Sequence, residues 1–411
     1  MALEGVSVAS ARTGGGEHDG SGLTVLALNS GSSSLKFGLY RMGPSETETL
    51  LSGEAESIGG SSGKFSAKSA RQQELVSEAA PIPSQRDAVV RIGTLLADFK
   101  MPSPDAVGHR VVHGGPTLRR HCLIDDGVLR QLETATAFAP LHTPAALSVI
   151  RFAAVHFPGV PQAACFDTSF QAEMPLVASS LPIPKELRAE GIQRYGFHGL
   201  SYESIVHQLG SDLRDRTVIA HLGNGASVTA VKRGTSIDTS MGLTPSGGVI
   251  MGTRSGDLDP GVLLYLMREK NLDAGGLEEL VDHRSGLLGI SGVGSDMRRL
   301  HEAAASNTDA QLAIQMFCYS LRKQIAAMIA VLDGLDLLVF TDGIGENDTQ
   351  VRADVCAGLA WIGVRLDESR DRARSNPISD VSSRCEVEIL ASDEDAQIAR
   401  HAGALVTQTR S

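Results

Sequence analysis

The feature that most restricts the fold of this chain is a turn that occurs twice. The apolar run Thr24-Val25-Leu26-Ala27-Leu28-Asn29 breaks at Ser30-Gly31-Ser32-Ser33-Ser34 and resumes as Leu35-Lys36-Phe37-Gly38-Leu39-Tyr40. About one domain length further on, Val218-Ile219-Ala220-His221-Leu222 breaks at Gly223-Asn224-Gly225-Ala226 and resumes as Ser227-Val228-Thr229-Ala230-Val231. Apolar, β-rich runs around a turn of small residues predict hairpins. Two hairpins of one design at that spacing predict a duplicated domain with a cleft between its halves. Backbone N–H groups, hydroxyls and an amide gathered at such a turn can hold phosphate oxygens, and Lys36 adds positive charge beside the first one.

Helices fill the intervals. Thr143 is predicted as an N-cap ahead of Pro144, with Leu147, Ile150 and Val155 facing inward. Phe317, Leu321, Ile325, Met328 and Leu332 recur at helical spacing and lead into a short apolar strand, Leu337 to Thr341, that ends in Asp342-Gly343-Ile344-Gly345. Strands alternating with helices, together with the hairpins, predict an α/β class with mixed β-sheets flanked by helices.

Charge and cysteine usage narrow the function. A net charge of −11 argues against a general nucleic-acid or anionic-membrane surface, so an anionic substrate must be drawn in by local cations. Cys122, Cys165, Cys318, Cys356 and Cys385 are scattered and form no C-x-x-C pair, which points to a reducing, cytoplasmic setting. No apolar run approaches the ~20 residues that would span a bilayer. Residues 1–22, rich in Gly and acidic or polar residues, are expected to form a flexible extension.

Two arginines stand in glycine-rich settings, Arg110 in His109-Arg110-Val111-Val112-His113-Gly114-Gly115 and Arg254 in Met251-Gly252-Thr253-Arg254-Ser255-Gly256-Asp257. Small neighbours leave a guanidinium room to meet a planar anion with two parallel hydrogen bonds. His198, in Tyr195-Gly196-Phe197-His198-Gly199, is bracketed by glycines that leave it open to a ligand, whereas His142 reads equally as cleft wall or helix-start packing. Asp167 and Glu394 are carboxylates of the kind that hold Mg²⁺, although Glu394 on its own also reads as part of a solvated acidic turn.

These blocks resemble the acetate kinase family. The likeness is carried by Asn29 to Lys36, Gly108 to Gly115, Arg194 to Gly199, His221 to Ser227, Asp238 to Gly242, Met251 to Pro260, Ser285 to Gly292 and Gly343 to Asn347, in order along nearly the whole chain. The resemblance implies two related actin-like (ribonuclease H-like) domains, residues 23–168 plus 396–411 and residues 169–395, with a nucleotide cleft between them. It implies reversible transfer of the ATP γ-phosphoryl group to acetate, giving acetyl phosphate and ADP, with Mg²⁺ (or Mn²⁺) as cofactor and a homodimeric assembly.

By position, the resemblance assigns Arg110 and Arg254 to the acetate carboxylate and the phosphoryl group, and His198 to the transition state. Asn29, Ser32, Ser34 and Lys36 would face His221, Gly223, Asn224 and Gly225 across the phosphates. Asp167 and Glu394, with Asn29, would serve the metal. Asp296, Arg298, Gly343, Ile344, Gly345 and Asn347 would form the nucleotide pocket. Val112, Leu141, Phe197 and Pro245, with His142, would surround the acetate. The chain departs from the family pattern at Thr143, Gln171, Tyr202, Gly247 and Asp342, where the family usually has Asn, His, His, Glu and Ala.

The chemistry agrees. A carboxylic acid is ionised at neutral pH, so no general base is required; bringing two anions together calls for cations and in-line placement. A kinase for propionate or another short acid is the alternative within this class. A nucleotide-switched binding protein of the actin-like kind would have no use for two arginines aimed at an acceptor.

Overall fold

In the computed structural model, residues 22–31, 33–43, 46–140 and 142–410 are described. Ser32, Leu141 and all of the expected extension except Gly22 lie outside the described residues. The strands are β1 (Thr24–Ser30), β2 (Leu35–Met42), β3 (Thr47–Glu56), β4 (Lys64–Ser69), β5 (Glu74–Ala79), β6 (Ala106–Val111), β7 (Cys122–Leu123) and β8 (Gln162–Phe166), followed by β9 (Arg216–Leu222), β10 (Ala226–Lys232), β11 (Thr235–Thr239), β12 (Leu337–Thr341) and β13 (Glu386–Ile389). Among the described residues they form two sheets, ordered β5-β4-β3-β2-β1-β6-β8-β7 and β11-β10-β9-β12-β13.

The expected duplication is visible strand by strand. In both halves a hairpin pairs antiparallel (β1 with β2, β9 with β10), and the first strand of the hairpin takes a parallel neighbour on its other side (β6, β12). A further parallel strand follows (β8, β13), and a third antiparallel strand extends the hairpin edge (β3, β11). Parallel neighbours need crossovers, and helices supply them. The helix Thr308–Val331 buries Phe317, Leu321, Ile325 and Met328 as its spacing predicts, then feeds β12. The helix Glu394–Arg410 follows the second sheet in sequence yet packs on the first, its Ile398, Ala399 and Ala402 sharing an apolar cluster with Val25, Ala27, Ala163 and Cys165.

Two local expectations are corrected. The helix Thr143–His156 has His142, not Thr143, at its N-cap position, and the Thr143 hydroxyl is buried with no partner among the described residues. Its inward face is Leu147, Ile150 and Ala153; Val155 falls out of the three-to-four spacing and is 81% exposed.

Candidate active site

The ends of β1, β6 and β8 converge on one cleft. Arg110, near the end of β6, donates from Nε to both oxygens of Asp167 (3.2 and 2.9 Å) and from Nη2 to Oδ2 (2.6 Å). Its Nη1 donates to Oδ1 of Asn29 (3.1 Å). The fork expected to await an outside anion is therefore already engaged inside the protein, and the remaining 21% exposure of the Arg110 side chain is what faces the cleft. Burial opposes its charge, but Asp167 and Glu394 more than offset this and raise its pKa.

Asn29 is a cross-brace. While Oδ1 accepts from Arg110, Nδ2 donates to Glu394 (3.1 Å) and Asp395 (3.0 Å). Burial pushes Asp395 up to about 6 against that hydrogen bond, with the Glu394 charge adding to the rise. Glu394 and Asp395 line this cleft, and their hard carboxylate oxygens fit a divalent ion such as Mg²⁺, whereas Asp167 is 1% exposed and gives both oxygens to Arg110. Asn29 itself holds these groups in place, since its one oxygen faces Arg110. Gly31, Ser34 and Lys36 line the same cleft, which encloses about 330 Å³.

From the second hairpin come His221, Asn224 and Gly225, which face the first across this space. His198 stacks on His221, ring centroids 4.0 Å apart. Burial, then the charges of His221, Arg110 and Arg254, hold His198 well below the ordinary histidine range, so it is neutral. A Cβ on Gly225 would lie 3.2 Å from Nε2 of His198 and 3.4 Å from Nη1 of Arg254, so glycine is what lets these two groups approach one point. Asp342 also faces the cleft, with φ +64° and Oδ2 3.4 Å from Nε2 of His221.

Arg254 borders a second cavity of about 470 Å³, together with His142, Pro245, Thr253, Asp282 and His283. Burial lowers the Arg254 pKa and Asp282 opposes that, while Arg110 adds repulsion. Two guanidinium groups that repel each other across a cleft make a site for an anion. The Ser285-to-Gly292 block supports this loop: Gly286 (φ +60°) leaves no room for a Cβ against the Met251 and Arg254 carbonyls, and Leu287 N–H donates to the Met251 carbonyl. Burial, then Arg254 and Arg110, bring His142 down to about 4, which places it on the cavity wall as a neutral ring. Of the expected acyl pocket, Pro245 lines the cavity, whereas Val112 and Phe197 are buried in the apolar cluster that includes Ala139 of the wall.

A third cavity of about 810 Å³ is lined by Gly223, Asp296, Arg298, Gly343, Ile344 and Asn347, among others. Asp296 caps the helix Met297–Ala304 and binds the Arg298 guanidinium. Gly345 is buried, its carbonyl accepting from Arg352. Asn224 lines all three cavities and is the point at which they meet.

Sequence reasoning missed Asp393, Asp395 and Ser392 in the first cleft, and Asp282 and His283 beside Arg254. The acidic run Asp393-Glu394-Asp395 carried a signal, but only Glu394 was singled out from it.

Comparison with known proteins follows this geometry. The model of the acetokinase family matches residues 24–400. The chain is 42% identical to an acetate kinase of Nitrobacter hamburgensis, covering 92% of this chain and 95% of that protein, and 41% identical to one of Heliobacterium modesticaldum, covering 92% and 98%. In structure it is similar to a propionate kinase of Francisella tularensis (TM-score 0.87, 36% identity) and an acetate kinase of Porphyromonas gingivalis (TM-score 0.83, 35% identity), in both cases over 93% of this chain and 100% of the other.

Proposed function

Because this chain belongs to the acetokinase family, we propose that it transfers the γ-phosphoryl group of ATP to acetate, reversibly, giving acetyl phosphate and ADP. The observation that carries the reading is the meeting of three cavities at Asn224: the roomiest lined by Asp296, Gly343 and Ile344, one lined by Ser34, Lys36 and Gly225, and one headed by Arg254. Adenosine lies against Asp296, Arg298, Gly343, Ile344 and Asn347. The phosphates lie between Ser34 and Lys36 on one side and Asn224 and Gly225 on the other. Acetate lies beside Arg254 and Pro245.

The acceptor is already a carboxylate, so the protein has no proton to remove. What it must supply is neutralisation and alignment for an in-line transfer. Arg110, held rigid by Asp167 and Asn29, and Arg254 flank the point where the phosphoryl group passes. His198, neutral, offers a hydrogen bond to its oxygens without adding charge. Donors fixed before the reaction stabilise developing charge without reorganising, each being worth roughly 10²- to 10³-fold in rate. Glu394 and Asp395 would hold Mg²⁺, with Asp167 acting behind them through Arg110, and the ion when bound supplies further charge neutralisation at the phosphates.

The same reading divides the chain at 168/169 and 395/396 into two actin-like domains, in step with the two sheets. It places the protein in the cytoplasm, where its five free cysteines stay reduced; no helix among the described residues is long and apolar enough to cross a membrane. A homodimer is supported by the helix Pro260–Glu269, which buries none of its residues and exposes Val262, Leu264, Tyr265 and Met267.

Acetate-dependent ADP formation, with hydroxylamine trapping of the acyl phosphate, tests the activity. ATP turnover that acetate and propionate leave unchanged would refute it. The likeness to a propionate kinase makes the longer acid the second reading, and a higher kcat/KM for propionate than for acetate would select it.

A further inference from the structure

His198 has two ring nitrogens, and only one of its neutral forms is useful at the cleft. Nδ1 lies 2.8 Å from Ser227 Oγ, while Nε2 points toward Gly225 and the cleft. Ser227 Oγ has one further partner, the hydroxyl of Tyr202. Tyr202 and Ser227 are both fully buried, and no other hydrogen-bond partner of the Tyr202 hydroxyl is found among the described residues.

Counting protons decides the direction of this chain. A tyrosine hydroxyl has one proton and Ser227 has one. If His198 donated from Nδ1 to Ser227, then either Ser227 would donate to Tyr202 and leave the phenolic proton buried with no acceptor, or Ser227 would accept from both neighbours and leave its own proton without one. In the opposite direction every proton is used: Tyr202 donates to Ser227, and Ser227 donates to Nδ1 of His198. Burial raises the Tyr202 phenol well above its ordinary value, so it remains a donor.

We propose that Ser227 is a positioning residue, whose hydroxyl, with the Tyr202 hydroxyl donating into it, gives its proton to Nδ1 of His198 and thereby fixes the neutral form that presents Nε2–H to the cleft. The other form would turn a bare lone pair toward an anionic phosphoryl group. Geometry suits the role. Tyr202 lies one helical turn beyond His198, its N–H bonded to the His198 carbonyl (3.1 Å), so both side chains project from one face of the helix Gly199–Leu209 onto β10.

The role of Nε2–H rests on the functional reading above, but the form of the ring can be measured without turnover. Proteins labelled with ¹⁵N-histidine, the wild type and Ser227→Ala, are compared by NMR, the His198 signals being those lost in His198→Gln. In the wild type at neutral pH, Nε2 should carry the proton and Nδ1 should be bare. Ser227→Ala should shift both nitrogens toward the averaged values of a mixture, with kcat reduced about two- to tenfold and the KM for ATP and acetate changed less than about twofold. A wild-type His198 protonated at Nδ1 overturns the proposal. So does Ser227→Ala with unchanged ring nitrogens, whatever its rate, or with shifted nitrogens and unchanged kcat. Should Ser227→Ala not fold, the measurement is made on Ser227→Thr, which keeps the hydroxyl and should keep the Nε2–H form; a ring protonated at Nδ1 there also overturns it. A wild type with no acetate-dependent turnover would defeat the functional reading and leave the ring measurement standing.

Discussion

Replacing Arg110 with alanine should damage stability and catalysis for separable reasons. Asp167 is 1% exposed, and three N–H···O contacts to it come from Arg110. Removing the guanidinium leaves a carboxylate in the interior without its counter-ion, a change that costs about 3–5 kcal/mol. Asn29 loses the donor to Oδ1 as well, for about 1 kcal/mol more. Catalysis loses a cation at the transferring group, so kcat/KM should fall on the order of 10²- to 10⁴-fold. Adding Asp167→Asn to Arg110→Ala removes the orphaned charge. The double variant should regain most of the stability and none of the activity. Arg110→Lys should restore stability partly and rate poorly, because an ammonium cannot serve Asp167 and Asn29 together as the fork does. The measurements are urea unfolding by circular dichroism and the hydroxamate assay. Equal stabilities of the single and double variants would refute the buried-pair account, and near-wild-type turnover of Arg110→Ala would remove Arg110 from the reaction.

Asp342→Ala should tighten ATP by up to about fivefold, since a carboxylate 38% exposed at the phosphate cleft repels through well-screened solvent and is worth ~1 kcal/mol or less. Asp342→Asn should match it without the strain of alanine at φ +64°, and the acetate KM should stay put; unchanged ATP affinity in both would place the carboxylate's field elsewhere. Glu203 binds His121 (3.3 Å) and His401 (2.7 Å), and against the opposing effect of burial these hydrogen bonds bring its carboxyl down to about 2. A depressed carboxyl stabilises the fold above its unfolded value and loses that contribution as pH falls from about 4.5 toward 2. Glu203→Gln should therefore lower stability at neutral pH by on the order of 3 kcal/mol, and its thermal midpoint should fall less steeply than the wild type's below pH 4.5; parallel curves would contradict this. Val112→Ala should open space in the cluster behind Ala139, so the propionate KM should drop while that for acetate rises or holds, with overfilling of the unmodified wall costing propionate ~1–3 kcal/mol. An unaltered profile over acetate, propionate and butyrate would exclude Val112 from that wall.

The hairpins were readable because their chemistry is local: small residues at a turn and β-rich runs on either side are contiguous in sequence. So was the stripe from Phe317 to Met328, which one helix turns into one face. Contacts between residues far apart in sequence left no such trace. Nothing near Asn29 announces that its amide will bridge Arg110 and Asp395, and nothing near Arg110 announces that Asp167 will occupy its fork. The glycines around Arg110 and Arg254 correctly marked room for a guanidinium, but room does not reveal which partner fills it. Asp395 was missed for a related reason: an acidic run at a helix start looks the same in solvent and over a phosphate site, and only the packing of that helix on the first sheet tells them apart.

That packing also sets a timetable. All the strands of the first sheet have been translated once Phe166 is made, yet the helix that covers Val25, Ala27, Ala163 and Cys165, and brings Glu394 and Asp395 to Asn29, is translated only after the whole second sheet. At ~5–20 residues per second, a ribosome needs tens of seconds to get from one to the other. Throughout that interval the nascent chain carries an uncovered apolar face, which is a substrate for chaperones, and a cleft without the carboxylates of Glu394 and Asp395. A message cut short before residue 394 therefore yields a chain that quality control can recognise by its open sheet.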